Sequence, residues 1–177
     1  MNRRNIEIGD FAFDPSIIRE QWLLLTAGDF APGKFNSMTI SWGSCGEIWN
    51  KAFFQVVVRP TRYTRGFMDS GDSFTLCVFP AANKPALSLL GSKSGRDGDK
   101  IVESGLRPIP SSLVSAPGYD EAELIVECRK IYWQDLDPSH FLDPAIEMNY
   151  AKKDYHRAYF GEILRVSGTD KYRRKKG

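Results

Sequence analysis

A largely antiparallel β-barrel or sandwich of about six strands is the fold that this sequence predicts. Three observations predict it. Short runs rich in β-branched and aromatic residues recur along the chain and stop at Gly, Pro or Asp. The longest of them, Glu123 to Trp133, alternates, with Leu124, Val126, Cys128 and Lys130 on one side and Ile125, Glu127, Arg129 and Ile131 on the other. Helical signals between the runs are few and short.

Taken in order, Ser16 to Trp22 follows an Asp-Pro start and reads as a short helix. Trp22 to Ala27 is an apolar strand ending at Gly28-Asp29, and Pro32-Gly33 marks a turn. Phe35 to Trp42 alternates in part, after which Gly43 and Gly46 bracket a tight connection. Phe53 to Val58 is a strand stopped by Arg59-Pro60. Thr64 is a natural N-cap for a helix reaching Ser70 and ending at Gly71. Phe74 to Phe79 is a strand stopped by Pro80. Asn83 can cap a helix with Pro85 in its first turn, running to Gly91. Asp97 to Ser104 adds another turn or two and ends at Gly105. Pro108, Pro110 and Pro117 make Leu106 to Asp120 an extended, irregular connection, and Tyr159 to Val166 closes the strand set. The basic terminus with Lys171, Arg173, Arg174, Lys175 and Lys176 reads as a frayed, solvated tail.

The length of 177 residues predicts one domain, 1–177. A globule of this size buries roughly 70% of the surface of its unfolded chain, so it needs no staples. Twenty-four Lys and Arg against 22 Asp and Glu leave a formal charge of +2. That balance argues against a broad nucleic-acid face and equally against an acidic, disordered chain. A dinucleotide-binding domain plus a separate catalytic domain would not fit in this length, so any cofactor chemistry must share one site. The MNRRNIEIGDF start has no apolar stretch behind its arginines, so it is no signal peptide, and no run reaches the roughly 20 apolar residues of a membrane helix. Cys45, Cys77 and Cys128 are scattered without a CxxC pair, and only His140 and His156 could join them, so no disulfide framework or metal site is expected. A reducing cytoplasm suits three such thiols.

Three segments could carry chemistry. In Asn36-Ser-Met-Thr-Ile-Ser-Trp-Gly43 the polar residues Asn36, Ser37, Thr39 and Ser41 lie close to Trp42, which suits a planar, hydrogen-bonding ligand or simply an edge strand with a wet face. In Val58-Arg-Pro-Thr-Arg-Tyr-Thr-Arg65, Arg62 and the hydroxyls of Thr61 and Thr64 would converge with the free N–H groups of a helix start. That is a local phosphate grip, or else a capped helix with solvated arginines. Gly91-Ser-Lys-Ser-Gly-Arg-Asp-Gly-Asp-Lys100 could wrap an anion or serve as a flexible inter-helix loop, but it lacks the Gly-Lys-Ser/Thr end of a Walker loop. No nucleophile elbow is present.

Together, NSMTISWG from Asn36, VRPTRYT from Val58, FTL from Phe74, SGRDGDK from Ser94 and HRAYFGEI from His156 resemble the flavin reductase-like family of FMN-binding split β-barrels. The resemblance covers the chain from about Trp22 to Val166, leaving 167–177 as a basic tail. It implies a homodimeric split barrel that binds FMN in preference to FAD, each flavin near the subunit seam. It also implies an NAD(P)H:flavin oxidoreductase in which hydride passes from a transient nicotinamide to FMN. A flavoredoxin-like electron carrier reduced by a protein partner, and a flavin-free interaction module, are the alternatives; a redox protein or monooxygenase would be the partner downstream. By the same resemblance Asn36, Ser37, Met38, Thr39, Ser41 and Trp42 run beside the flavin ring. Arg62, Tyr63 and Thr64 take the phosphate, and Ser94, Gly95 and Lys100 line the ribityl or ring side. His156 lies at the start of the closing strand near flavin or nicotinamide. The family's Gly-Asp before that histidine is Asp154-Tyr155 here, and Ala52 stands where its proline is expected.

Overall fold

The computed structural model describes residues 1–175. Among them an 8-stranded sheet forms the body, more than the six or so strands that the apolar runs predict. Its members are β1 (Arg4–Ile6), β2 (Leu23–Gly28), β3 (Phe35–Ile40), β4 (Gly43–Ile48) and β5 (Lys51–Val58). With them go β6 (Ser73–Val78), β9 (Leu124–Asp135) and β10 (Arg157–Gly168), while β7 (Pro108–Ile109) and β8 (Gly118–Tyr119) form a separate ribbon. The order is β3-β2-β6-β9-β10-β5-β4, with β1 added on β10, and every pairing is antiparallel. Among the described residues four short α-helices decorate it: α1 (Ser16–Glu20), α2 (Thr64–Ser70), α3 (Lys84–Ser92) and α4 (Lys100–Ser104).

The two-residue period of the central strands splits their side chains between two cores. Leu23, Leu25 and Ala27 of β2 join Phe74, Leu76 and Val78 of β6 and Leu124, Val126 and Cys128 of β9 inside the barrel. The intervening Leu24, Cys77 and Ile125 point the other way and meet Leu87 and Leu90 of α3, Leu106 and Tyr119. Strands buried on both faces read as nearly continuous apolar runs, which is why β2 and β6 stand out in the sequence. Ser37, expected beside a ligand, sits in this second layer, its hydroxyl 2.7 Å from Thr26 Oγ1 and 2.6 Å from the Tyr119 hydroxyl.

Some local expectations are overturned. Gly43 and Gly46 do not bracket a turn; they belong to β4, which pairs with β5 through a hairpin at Trp49-Asn50. Both turn residues are left-handed, with φ of 52° and 56°, as a two-residue type I′ turn demands. Thr64 and Asn83 make no side-chain cap; Asp99 does cap α4, accepting from Val102 N–H at 3.1 Å. Through Arg174 the C-terminal segment is not frayed. Tyr172 is buried and its hydroxyl donates to the Glu123 carboxylate, Lys171 pairs with the same carboxylate at 2.8 Å, and the Arg174 N–H donates to Asp10 O at 2.7 Å. Lys176 lies outside the described residues. The three thiols are free; burial pushes Cys45 up to about 11 and Cys77 up to about 12. Among the described residues no helix is long and apolar enough to cross a membrane.

Candidate functional site

Three segments distant in sequence meet at one end of the barrel: the end of β3, the turn from β5 into α2, and the loop from α3 to α4. They enclose two cavities. One, of about 260 Å³, is lined by Met38, Thr39, Ser41, Trp42, Arg62 and His156, together with Ile40, Val57, Arg59 and Gly91. The other, of about 180 Å³, is lined by Asn36, Arg62, Tyr63, Thr64, Ser94, Gly95 and Lys100, with Thr61, Ser92 and Lys93. Arg62 borders both and joins them. Of the residues singled out in the sequence, Ser37 alone reaches neither. Ser94, Gly95 and Lys100 share the cavity of Arg62, Tyr63 and Thr64, so the α3–α4 loop and the β5–α2 turn form one pocket.

Close packing makes that geometry possible. A Cβ on Gly91 would stand 3.1 Å from Thr39 Cβ, so the glycine lets α3 lie against β3, where Thr39 Oγ1 donates to Leu87 O at 2.5 Å. The smaller cavity is polar by construction. Asn36 Nδ2 donates to Thr64 Oγ1 at 2.7 Å, leaving the Thr64 hydroxyl hydrogen available to a ligand. Lys100 is buried, and its Nζ donates to Leu90 O at 2.9 Å; burial first, and the Arg62 charge second, bring its pKa down to about 8. Arg62 donates to Gly91 O at 2.6 Å and is likewise held below its ordinary value, by burial and then by Arg59. Among the described residues neither Lys100 nor Arg62 has a carboxylate partner. Buried charge without a counter-charge is costly, and an anion relieves it.

The larger cavity has a different character. The Trp42 indole is 44% exposed, and its ring centre lies 5.2 Å from that of His156. His156 is itself buried, with Nδ1 2.9 Å from the Tyr150 hydroxyl. Burial, aided by Arg59 and opposed by Asp154, brings the imidazole down to about 4, so it is neutral at pH 7. Arg59 Nη1 donates to Asp154 Oδ1 at 2.7 Å and Nη2 to Asn149 O at 2.8 Å, and the guanidinium stands 5.0 Å from the Tyr150 ring centre. These contacts pin the 136–156 connection to the end of β5. Sequence reasoning missed Arg59, Tyr150 and Asp154 as parts of this wall. The one local signal was the position of Arg59 where strand meets proline.

Neutral His156 gives a pH signature. Its pKa is depressed from the ordinary 6.5, so as pH falls from 6.5 to about 4 the unfolded chain takes up a proton that the folded chain refuses. Stability present above pH 6.5 is therefore lost across that window. With partial solvent access discounted, the loss is about 1–2 kcal/mol. Urea unfolding at pH 7 and pH 4 should show wild type losing that much more than His156→Gln; equal losses would contradict the neutral assignment.

No protein-family model and no curated protein matches this sequence. Solved structures do match the fold. An FMN-binding domain of a flavin reductases-like enzyme from Shewanella baltica superposes with a TM-score of 0.68 at 17% identity, over 94% of this chain and 77% of that one. Flavoredoxin from Methanosarcina acetivorans gives 0.65 at 24% identity, over 96% of this chain and 77% of its own. Nitrilotriacetate monooxygenase component B from Bacillus cereus gives 0.66 at 15%, over 85% and 71%. The chain thus has the split-barrel fold of flavin reductase-like, FMN-binding proteins.

Proposed function

We propose that this chain, as one split-barrel domain over 1–177, binds FMN and works as an NAD(P)H:flavin oxidoreductase. The observation that carries the reading is the buried Lys100 and half-buried Arg62, which have no carboxylate partner among the described residues beside a cleft walled by Trp42 and His156. A phosphate ester with a planar ring suits both cavities at once: anion acceptors in one, an aromatic wall in the other. Bound FMN would supply a ring able to accept hydride from a reduced nicotinamide.

The protein's own part is to hold and orient. Arg62, Lys100 and the Thr64 hydroxyl would take the phosphate, with Tyr63, Ser94 and Gly95 around it and Asn36 fixing Thr64. Met38, Thr39, Ser41 and Trp42 would line the ring side. His156, neutral and hydrogen-bonded to Tyr150, serves as an oriented polar wall and is not a general base. Trp42 leaves one side of the cleft open to solvent, and a second copy in a cytoplasmic homodimer would close it.

Titrating the apo protein with FMN under difference absorbance should give saturable perturbation of the flavin bands. Anaerobic NADH or NADPH should then bleach the bound flavin within seconds. Flavin that binds but keeps its colour would make the chain a carrier reduced by a protein partner. A protein that never takes up FMN would sink the flavin reading itself.

A further inference from the structure

Tyr150 is 3% exposed on the 136–156 connection, where Arg59 stands 5.0 Å from its ring centre. The rings of Phe141 and Tyr155 flank it with their centres 5.9 and 5.0 Å away. Its hydroxyl makes one hydrogen bond among the described residues, at 2.9 Å to His156 Nδ1. Counting hydrogens shows which group donates. If Nδ1 carried the imidazole hydrogen and donated it, the buried hydroxyl hydrogen would have no acceptor, which costs as much as a lost hydrogen bond or more. If the hydroxyl donates, Nδ1 accepts and both groups are satisfied. The neutral imidazole then carries its hydrogen on Nε2. The two charges facing the ring, Arg59 and Asp154, pair with each other at 2.7 Å and leave this arrangement intact.

Nε2 has no hydrogen-bond partner among the described residues, and no fully buried side-chain nitrogen or oxygen among them goes without one. Nε2 is therefore not sealed in. It opens on the larger cavity, which His156 lines together with Ser41 and Trp42. We infer that Tyr150 fixes His156 as a hydrogen-bond donor to this cavity, and that the ring bound there turns an acceptor oxygen, a ring carbonyl or a carboxamide, toward Nε2. Tyr150 is a positioning residue, and through it the 136–156 connection acts on the site. A ligand that presented its own N–H at this wall would set hydrogen against hydrogen. The acceptor half of the inference rests on the flavin reading of the cleft; the donor half rests on Tyr150 and His156 alone.

The test uses the full-length protein with isotope-labelled imidazole nitrogens. It has two histidines, and His140→Gln, at an exposed position, identifies the signals of each. In the ligand-free protein at pH 7, proton–nitrogen correlation should show His156 protonated on Nε2, with Nδ1 bare and hydrogen-bonded. Tyr150→Phe keeps the ring and should move the Nδ1 signal toward that of an unbonded imidazole nitrogen. It should also raise the titration midpoint of His156, because the lost bond favours the neutral form. A tyrosine that only fills space would move neither. A wild-type hydrogen on Nδ1 overturns the inference, whether or not FMN binds. For the ligand, Tyr150→Phe is the reference, so that changing His156 orphans no hydroxyl. Adding His156→Leu should weaken binding about fivefold or more, and adding His156→Gln, which keeps an N–H donor, should recover most of it. If the acceptor is a flavin carbonyl, the loss appears in the Kd for FMN. If it is the nicotinamide carboxamide, the loss appears in the KM for NADH with the Kd for FMN unchanged. Loss in neither, or equal loss with Leu and Gln, overturns the acceptor. Wild-type protein that takes up no FMN removes the flavin reading and the acceptor with it, while the ligand-free spectrum still decides the donor.

Discussion

Arg62→Ala combined with Lys100→Met should weaken FMN binding about a thousandfold, measured by flavin fluorescence quenching at fixed ionic strength. Each substitution removes a charge-assisted hydrogen bond to phosphate, worth about 1.5–3 kcal/mol, so the pair is asked for about 4 kcal/mol. Lys100 also makes a prediction of opposite sign. Its charge is buried and opposed by Arg62, so in the free protein it works against folding. Lys100→Met alone should therefore raise the ligand-free stability by about 1 kcal/mol while lowering FMN affinity. A lysine kept for structure would lower both. Proton linkage gives the same residue a third signature. With its pKa at about 8 in the free protein, Lys100 must gain a proton to meet phosphate at higher pH. Affinity should stay flat below pH 8 and decline as pH rises beyond it, and the decline should vanish in Lys100→Met. An unchanged affinity in the double variant would remove phosphate from this pocket.

The parts of the fold legible in the sequence were those whose signal is local. Leu23–Gly28 and Ser73–Val78 are buried on both faces, so an apolar run announces them. Strand β4 was not legible, because its glycines imitate a turn. Their purpose is spatial: a Cβ on Gly43 would stand 2.6 Å from Gln55 O in the paired strand. The hairpin that follows uses Trp49-Asn50 where Asn-Gly is the usual signal, so its left-handed turn was also hidden. At the site, the residue types pointed to phosphate and ring, and their convergence came from the family resemblance. Which way each side chain faces depended on the pleat. Ser37 shares the face of Thr39 and bonds to Tyr119 in the second core layer, while Asn36 on the opposite face bonds to Thr64 beside the smaller cavity. Arg59 and Asp154 pair across 95 positions, a distance at which no pattern in a single sequence carries information.

The near-neutral charge acquires a physical meaning from the same residues. A formal +2 left no basic face to expect, and the structure pairs several of the cations near the site. Arg59 answers Asp154 at 2.7 Å and Lys93 answers Glu103 at 2.7 Å. Among the described residues Arg62, Arg96 and Lys100 have no carboxylate partner, and Lys100 and Arg62 differ from the exposed Arg96 in being drawn out of solvent. The information lies in which cations are left over, and only the fold reveals that.

Gly161→Val should be the most damaging single change in the barrel, at about 3 kcal/mol or more of lost stability. Gly161 sits in β10 where the register against β9 shifts, paired with Phe54 on one side and Lys130 on the other. A Cβ there would lie 2.6 Å from Phe74 Cε1 and 2.8 Å from Cys128 Cβ, and both neighbours are fully buried. Its φ is not left-handed, so the demand is for space and not for backbone freedom. In a chain of this length such a loss lowers the melting midpoint by roughly 10 °C. The cause can be isolated with Gly161→Ala and Phe74→Leu, separately and together. If the ring fills the space that a side chain would need, the double variant loses at least about 1 kcal/mol less than the sum of the two singles. Strict additivity in urea unfolding would mean that the glycine serves the bulge and not the ring. The consequence reaches the site, because β10 begins directly after His156 and its pairing with β5 fixes that histidine opposite Trp42.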